Sequence, residues 1–245
     1  MRKIILSFLM VLLPGAVLAA GGDVHLDKAD IDLSNQQSLQ RGARLFVNYC
    51  LSCHSAQFQR YNRMGRDLGL TDEQVIENLM FASDKVGDQM TVTMKPADGK
   101  AWFGAAPPDL SLIARSRGVD YLYTYMRTFY VDETRPFGVN NLTFPSVGMP
   151  NVLCELQGIQ KPVYKTVEHD GETKEVLDRL ELVEPGTRTP AEFDQDIRDL
   201  VAFLAYVGEP AQLERKSLGG KVIIFLLVVL VVAYLLKKEY WKDVH

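Results

Sequence analysis

The chain has 245 residues, a net charge of −4 and a hydrophobic fraction of 47%. This acidic balance excludes a general nucleic-acid-binding protein, which needs a basic face. The length suits one domain with a sizeable core, and neither a repeat nor a low-complexity tract occurs in the sequence.

Residues 1–20 have the three parts of a secretory signal peptide. Arg2 and Lys3 form a basic start, a ten-residue run that is apolar apart from Ser7 follows, and small residues come after a Pro-Gly break. A run of ten residues is too short to cross a bilayer as a helix. The sequence predicts cleavage after Ala19 or Ala20 and a mature chain outside the cytoplasm.

Residues 50–54 read Cys-Leu-Ser-Cys-His, the C-x-x-C-H pattern of covalent haem attachment. Residues 39–50 have helical periodicity, whereas a thioredoxin-like C-x-x-C would follow a strand. A structural zinc site would need further cysteine or histidine ligands at close spacing, and those that remain are far away. The pattern predicts one haem c attached at Cys50 and Cys53, with His54 as an iron ligand.

The third cysteine, Cys154, has no partner for an intrachain disulfide once the other two are bound to haem. A cysteine of this kind behaves as a small apolar side chain. We therefore expect Cys154 to be a buried free thiol.

Four helices are predicted in the exported part of the chain. The first runs through residues 39–50 and delivers the haem-binding turn, and a capping box at residues 71–74 opens the second. The third covers residues 119 to about 130. The fourth begins at Thr189 with another capping box and ends near Gly208. An amphipathic helix at each end of a C-x-x-C-H domain indicates a mostly α fold, the class I c-type cytochrome layout.

Three segments between these helices are predicted to lack regular structure. Residues 82–108 and 134–150 carry prolines and glycines and are interpreted as loops. Residues 168–184 are rich in acidic side chains and are interpreted as a solvated surface loop, with docking of a partner as an alternative role.

A membrane anchor is predicted near the C-terminus. Residues 222–236 carry no charge, but fifteen residues rise only about 22 Å as a helix. Adding residues 218–221 gives about 28 Å, close to a hydrocarbon core of roughly 30 Å, provided that Lys221 snorkels. Lys237 and Lys238 follow the span and favour a cytoplasmic C-terminus.

The predicted organisation is that of a bacterial inner-membrane protein with one crossing. Its parts are a signal peptide (1–20), a periplasmic haem domain (21–214), a transmembrane anchor (215–238) and a cytoplasmic tail (239–245). Leaving out the six basic and two acidic residues near the ends, 21 of 27 basic and 29 of 31 acidic residues remain. The resulting charge of −8 favours a basic partner that is steered by long-range attraction.

Haem iron in such a fold needs a second axial ligand. Met149 lies in a loop, residues 144–150, that two prolines stiffen, and Gly148 is expected to let the backbone approach the porphyrin closely. Local sequence favours Met149, and Met90 and Met94 remain as alternatives.

Several further motifs occur between Asp32 and the anchor. They are Arg41-Gly42, Cys50 to Ser55, Pro107 to Ser111, Ile113 to Arg117, Asp120-Tyr121 and Gly148 to Pro150. With the single terminal span, this combination resembles the cytochrome c1 family, the haem subunit of quinol:cytochrome c reductase (respiratory complex III), in its bacterial form.

The resemblance implies roles for individual residues. The methionine of the family's G-M-P loop is the sixth iron ligand, which here is Met149. Arg117 is expected to meet a haem propionate. The segment that includes Pro108 is expected to line the histidine side of the haem, where a backbone carbonyl can accept a hydrogen bond from His54. Some bacterial relatives have a cysteine pair after the core, and this chain lacks the second cysteine.

The resemblance also implies a function in electron transfer. The haem would accept one electron from a Rieske iron–sulfur protein and pass it to a basic c-type cytochrome, while quinol oxidation belongs to a cytochrome b partner. The chain itself shows no nucleophile–base pair for substrate chemistry. Two alternatives stay open: another membrane-anchored cytochrome that donates to an oxidase or reductase, and a haem enzyme or gas sensor with an open sixth position.

Overall fold

A computed structural model of the chain describes residues 25–169 and 172–243. The predicted signal peptide, residues 1–20, lies outside the described residues. The elements in chain order are α1 (Gln36–Leu45), a π-helical turn (Phe46–Cys50), β1 (Ala56–Arg60), α2 (Tyr61–Asp67), α3 (Asp72–Leu79), β2 (Gln89–Met90), α4 (Pro96–Phe103), α5 (Ile113–Arg117), α6 (Val119–Arg127), β3 (Phe129–Val131), β4 (Val139–Asn141), α7 (Cys154–Gln157), β5 (Gly158–His169), β6 (Glu172–Pro185), α8 (Pro190–Gly208) and α9 (Gln212–Tyr240).

The predicted fold class is confirmed, since about half of the chain is helical and a long apolar helix lies at the C-terminus. Both capping boxes are present. Thr71 and Thr189 each accept a hydrogen bond from the backbone three residues on, and the side chain there bonds back to the cap. Helix α6 ends at Arg127, earlier than predicted, because Phe129 begins a strand that pairs with β4.

The core forms where helix α1 crosses helix α8. A Cβ atom added at Gly42 would lie 2.0 Å from the carbonyl oxygen of Asp199, so only glycine permits this approach. The buried Asp199 carboxylate accepts hydrogen bonds from Ser38 and Arg41, both on α1. A fully buried carboxylate is costly unless it is paired in this way. Because the crossing fixes the position of helix α1, it also fixes the position of the π-helical turn that follows α1.

The segments predicted as loops contain short elements. Residues 82–108 include β2 and α4, and residues 134–150 include β4. Helix α4 begins with Pro96 in its first turn and is capped after Phe103 by Gly104, whose φ of 81° is left-handed. Proline at a helix start and glycine just after its end are boundary signals, so their presence does not by itself indicate a loop.

The prediction of a solvated loop at residues 168–184 is wrong. Strands β5 and β6 form a long antiparallel hairpin, with Tyr164 opposite Leu177 and Lys165 opposite Val176. Apolar and β-branched residues recur among the charges, which suits a two-stranded ribbon. The acidic residues reflect the exposure of this two-stranded ribbon to solvent. Composition alone does not reveal that its strands pair regularly.

The prediction that Cys154 is buried is also wrong. Cys154 is an exposed free cysteine at the start of the one-turn helix α7. The neighbouring Leu153 and Leu156 are buried and fill the interior in its place.

Helix α9 has 29 residues and a mean hydropathy of 2.6 over its most apolar window, none of which is buried. A helix of this length extends about 44 Å, more than a hydrocarbon core of roughly 30 Å. Only three residues, 209–211, separate it from α8. Within this link Glu209 forms ion pairs with Arg115 of α5 and with Arg215 of α9.

Candidate haem site

An apolar cavity of about 380 Å³ opens beside the end of helix α1. Its volume lies within the range of ligand and cofactor pockets, about 300–1,000 Å³. Its walls come from the π-helical turn, from helices α5 and α6, and from the segments around residues 103–110 and 144–152. All the site residues predicted from the sequence line this one cavity: Cys50, Cys53, His54, Pro108, Arg117 and Met149.

The two cysteines lie one turn apart at the end of the π-helical segment. The backbone N–H groups of Cys53 and His54 donate to the carbonyl oxygen of Cys50 at 3.0 and 2.8 Å. This turn brings both thiols to the cavity wall, and both are free. Burial raises the pKa of the Cys50 thiol to about 12, so it is a neutral thiol in the folded chain.

His54 is oriented by the Pro-Pro-Asp-Leu-Ser segment. Its ring Nδ1 lies 2.7 Å from the carbonyl oxygen of Pro108, and in the matching tautomer Nδ1–H donates to that oxygen. The hydrogen bond that the family resemblance implied is therefore present, and it leaves Nε2 available as a ligand atom. Burial lowers the pKa of His54, which favours the neutral imidazole that a metal ion requires.

Backbone and side-chain hydrogen bonds hold that segment against the residues that directly follow the C-x-x-C-H motif. The N–H of Leu110 donates to the carbonyl of Ser55 at 2.8 Å. The Asp109 carboxylate accepts from the N–H groups of Gln57 and Ser111 at 3.0 and 2.8 Å. These bonds explain why the residue after the two prolines is an aspartate: it fixes the position of the Pro108 carbonyl.

Met149 reaches the cavity on a tightly held loop. A Cβ atom at Gly148 would lie 3.2 Å from the carbonyl oxygen of Phe103, so the close approach expected at this glycine is made to protein backbone. Ser146 has a left-handed φ of 63°, and its N–H donates to the Asn140 side chain at 2.8 Å. The loop is therefore anchored on strand β4.

The alternative methionines lie elsewhere. Met90 is fully buried opposite Ala56 in the β1–β2 pair, and the Met94 sulfur packs against Gly99. Neither belongs to the cavity lining among the residues that the structure describes. Met126 does line the cavity, but it is a buried residue of helix α6.

Arg117 is exposed and lies at the cavity wall, with its guanidinium 5.6 Å from the centre of the Tyr121 ring. A cation at that distance from an aromatic face is held by the ring quadrupole. The structure thus places one positive charge beside an otherwise apolar cavity wall.

Sequence reasoning missed two aromatic residues of this wall, Phe103 and Tyr125. Tyr121 and Tyr125 are one helical turn apart on α6, and their rings stack at 6.1 Å. The i, i+4 spacing was the available signal. Burial strongly raises the pKa of Tyr125, so its hydroxyl keeps its proton.

The residues present suit a c-type haem. Two thiols, an imidazole held through its other nitrogen and a thioether line one apolar space, and these are the donor groups that c-type cytochromes use. The apolar wall suits a porphyrin, and Arg117 offers a charge for a carboxylate at its edge.

Comparison with known proteins agrees with this geometry. The model described as the Cytochrome C1 family matches residues 29–244. A cytochrome c1 of Allochromatium vinosum is 50% identical, with both chains covered in full. A protein of Nitrosomonas europaea named ammonia monooxygenase gamma subunit is 45% identical, also over both full lengths. A cytochrome c1 of Rhodospirillum rubrum is 28% identical over 99% of this chain and 97% of the relative.

A match over most of the chain and half-identity with a full-length relative show the family without reliance on any single motif. This chain therefore belongs to the cytochrome c1 family, the c-type cytochromes that carry electrons in the bc1 complex.

Proposed function

We propose that this chain holds one covalently attached haem c. It accepts an electron from a Rieske iron–sulfur protein and passes it to a basic c-type cytochrome. The observation that carries the proposal is that Cys50, Cys53, His54 and Met149 line the same apolar cavity, although the motif and the methionine are far apart in sequence. When bound, the haem supplies a one-electron couple at its iron.

The residues of the chain supply attachment, orientation and a dry environment. In this proposal Cys50 and Cys53 would hold the haem through thioether bonds, and His54 and Met149 would ligate its iron. The Pro108 carbonyl holds the His54 ring through Nδ1. Histidine–methionine ligation raises the reduction potential, which suits an acceptor that lies downstream of quinol.

Arg117 is proposed to bind a haem propionate. It lies at the cavity wall, and a guanidinium pairs well with a carboxylate. Its stacking on Tyr121 holds the side chain near that wall before any carboxylate arrives.

The proposed orientation puts the haem domain, residues 21–214, in the periplasm and the tail, residues 239–245, in the cytoplasm. The signal-like residues 1–20 support export, and the basic residues after the span support a cytoplasmic end. The anchor is proposed to run through residues 215–238, within the long helix α9.

The partners are proposed to be a cytochrome b and a Rieske protein in one membrane complex. The charge of −8 on the exported part of the chain supports a basic electron acceptor. The test is purification of the tagged chain in mild detergent, followed by identification of the haem and iron–sulfur subunits that remain bound. Recovery of the chain without a cytochrome b would contradict the proposal.

A second candidate comes from the relative named as a subunit of ammonia monooxygenase. That name suggests a membrane-anchored cytochrome that serves a different oxidoreductase. The same purification distinguishes the two, because it would then recover monooxygenase subunits and lack the Rieske protein.

A further inference from the structure

The phenol group of Tyr125 contacts the sulfur of Met149. The Tyr125 hydroxyl oxygen lies 3.4 Å from the Met149 Sδ atom, a distance at which an O–H group donates to a thioether. Both side chains line the cavity, and Tyr125 is held within helix α6 while Met149 lies on a loop.

Two aromatic neighbours fix the orientation of the Tyr125 ring. Tyr121 stacks on it at a centroid distance of 6.1 Å and an interplanar angle of 11°. Phe129 meets it edge-on at 5.2 Å and 74°. The ring is thus held between two others, and this arrangement aims the hydroxyl at the sulfur without requiring any bond to it.

The fully buried Asn141 joins the donor helix to the acceptor loop. Its side-chain nitrogen donates to the carbonyl of Tyr125 at 2.7 Å, and its side-chain oxygen accepts from the N–H groups of Thr143 and Phe144 at 2.9 and 3.1 Å. Hydrogen bonds made by a buried amide side chain are costly to break. The distance between hydroxyl and sulfur is therefore set by the fold.

We propose that Tyr125 is a positioning residue that tunes the reduction potential through Met149. The inference rests on the proposed role of Met149 as an iron ligand. A thioether sulfur has two lone pairs, so one can face a metal while the other accepts the Tyr125 hydrogen bond. That bond withdraws electron density from the sulfur, weakens its donation to ferric iron and favours the ferrous state.

The test compares the purified holoprotein with its Tyr125→Phe variant, which keeps the ring and removes the donor. Tyr125→Phe should remain low-spin and move the far-red sulfur-to-iron absorption band. A single hydrogen bond is a small effect, so the equilibrium constant for reduction by a fixed mediator should fall about fivefold. The matched control is Tyr123→Phe, a buried tyrosine on the same helix outside the cavity lining, and it should leave both readouts unchanged.

Met149→Leu separates failure of the inference from failure of the proposed function. If Met149→Leu loses the far-red band but Tyr125→Phe leaves band and potential unchanged, Met149 is the ligand and the inference about Tyr125 is overturned. If Met149→Leu retains the band, the ligand assignment fails and the inference fails with it. An equal shift in Tyr123→Phe would also overturn the inference, since the effect would then be nonspecific.

A measurement on the unaltered holoprotein needs no substitution. Exchange of the Tyr125 hydroxyl proton for deuterium should shift the iron–sulfur vibration in resonance Raman spectra, because the hydrogen bond ends on that sulfur. Identical frequencies in light and heavy water would overturn the inference even if Tyr125→Phe failed to fold.

Discussion

Gly42 and Asp199 come so close that the backbone of helix α8 occupies the place where a side chain on α1 would begin. Gly42→Ala must therefore push the two helices apart or bend one of them. We expect a loss of about 3 kcal/mol in the free energy of unfolding, as for other overpacked cores. Thermal unfolding of the holoprotein measures this loss. Gly87→Ala is the control, since its nearest neighbouring atom would be 4.0 Å away, and equal stability of the two variants would contradict the close crossing.

Covalent attachment predicts that haem survives denaturation. The chain should keep peroxidase-active haem on a denaturing gel, because thioether bonds do not depend on the fold. The double variant with Cys50→Ala and Cys53→Ala should lose this signal, while Cys154→Ala should keep it, since Cys154 is exposed outside the cavity lining. Haem that remains on the double variant would refute attachment at these residues.

The ligand prediction concerns Met149. Met149→Leu keeps the volume and apolarity of the site but removes the sulfur. The ferric far-red band should disappear, the iron should bind carbon monoxide, and the potential should fall. Met90→Leu and Met94→Leu are controls that should show none of these changes, because both residues lie outside the cavity lining. A low-spin Met149→Leu variant with the band intact would refute the assignment.

The anchor prediction uses a chain that stops after Glu214. This chain retains helix α8 and loses nearly all of α9, so the haem domain should leave the membrane with an intact low-spin spectrum. Fractionation of cells that express the full and shortened chains measures the difference. A shortened chain that stays in the membrane in the absence of its partners would place the anchor elsewhere.

Asp120 makes the free energy of unfolding of the domain depend on pH, with stability lost in acid. Its carboxylate accepts hydrogen bonds from the Lys28 ammonium at 2.6 Å and from the Ala29 N–H at 3.0 Å, and these hold its pKa below the ordinary value of 3.8. A depressed folded-state pKa adds stability above the ordinary pKa, and that stability is lost as the pH falls through the folded-state value.

Asp120→Asn should therefore be less stable than the unaltered chain at pH 7 and equally stable in strong acid. Urea unfolding at a series of pH values measures the convergence, and Lys28→Met should show a smaller effect of the same sign. Curves that stay parallel down to the lowest pH would contradict the role of Asp120.

Local signals in the sequence predicted helices α1, α3, α6, α8 and α9 and the turn at residues 50–54, whereas the short helices α2, α4, α5 and α7 were not predicted. Thr71 and Thr189 each mark a helix start through a bond to a residue three positions away, so the signal is contained within one turn. The pairing of β5 with β6 was missed because it joins residues far apart in the sequence, such as Gly158 and Pro185, and composition alone suggested a loop.

The features of the candidate site likewise divide into those that a local pattern predicts and those that it does not. The C-x-x-C-H motif is local, and the His54–Pro108 bond was anticipated only through the family resemblance. The contact between Tyr125 and Met149 joins two residues that are 24 positions apart, and its geometry depends on the hydrogen bonds of Asn141. No local sequence pattern predicts such a contact.

The link between helices α8 and α9 has a consequence for how electrons reach and leave this protein. Three residues extend at most about 11 Å, so the domain that carries the cavity stays close to the start of helix α9, the proposed membrane anchor. Glu209 lies in this link and forms ion pairs with Arg115 of helix α5 and with Arg215 of helix α9. In the proposed membrane orientation this short link would keep the cavity near the bilayer surface, so that donor and acceptor proteins would have to come to it.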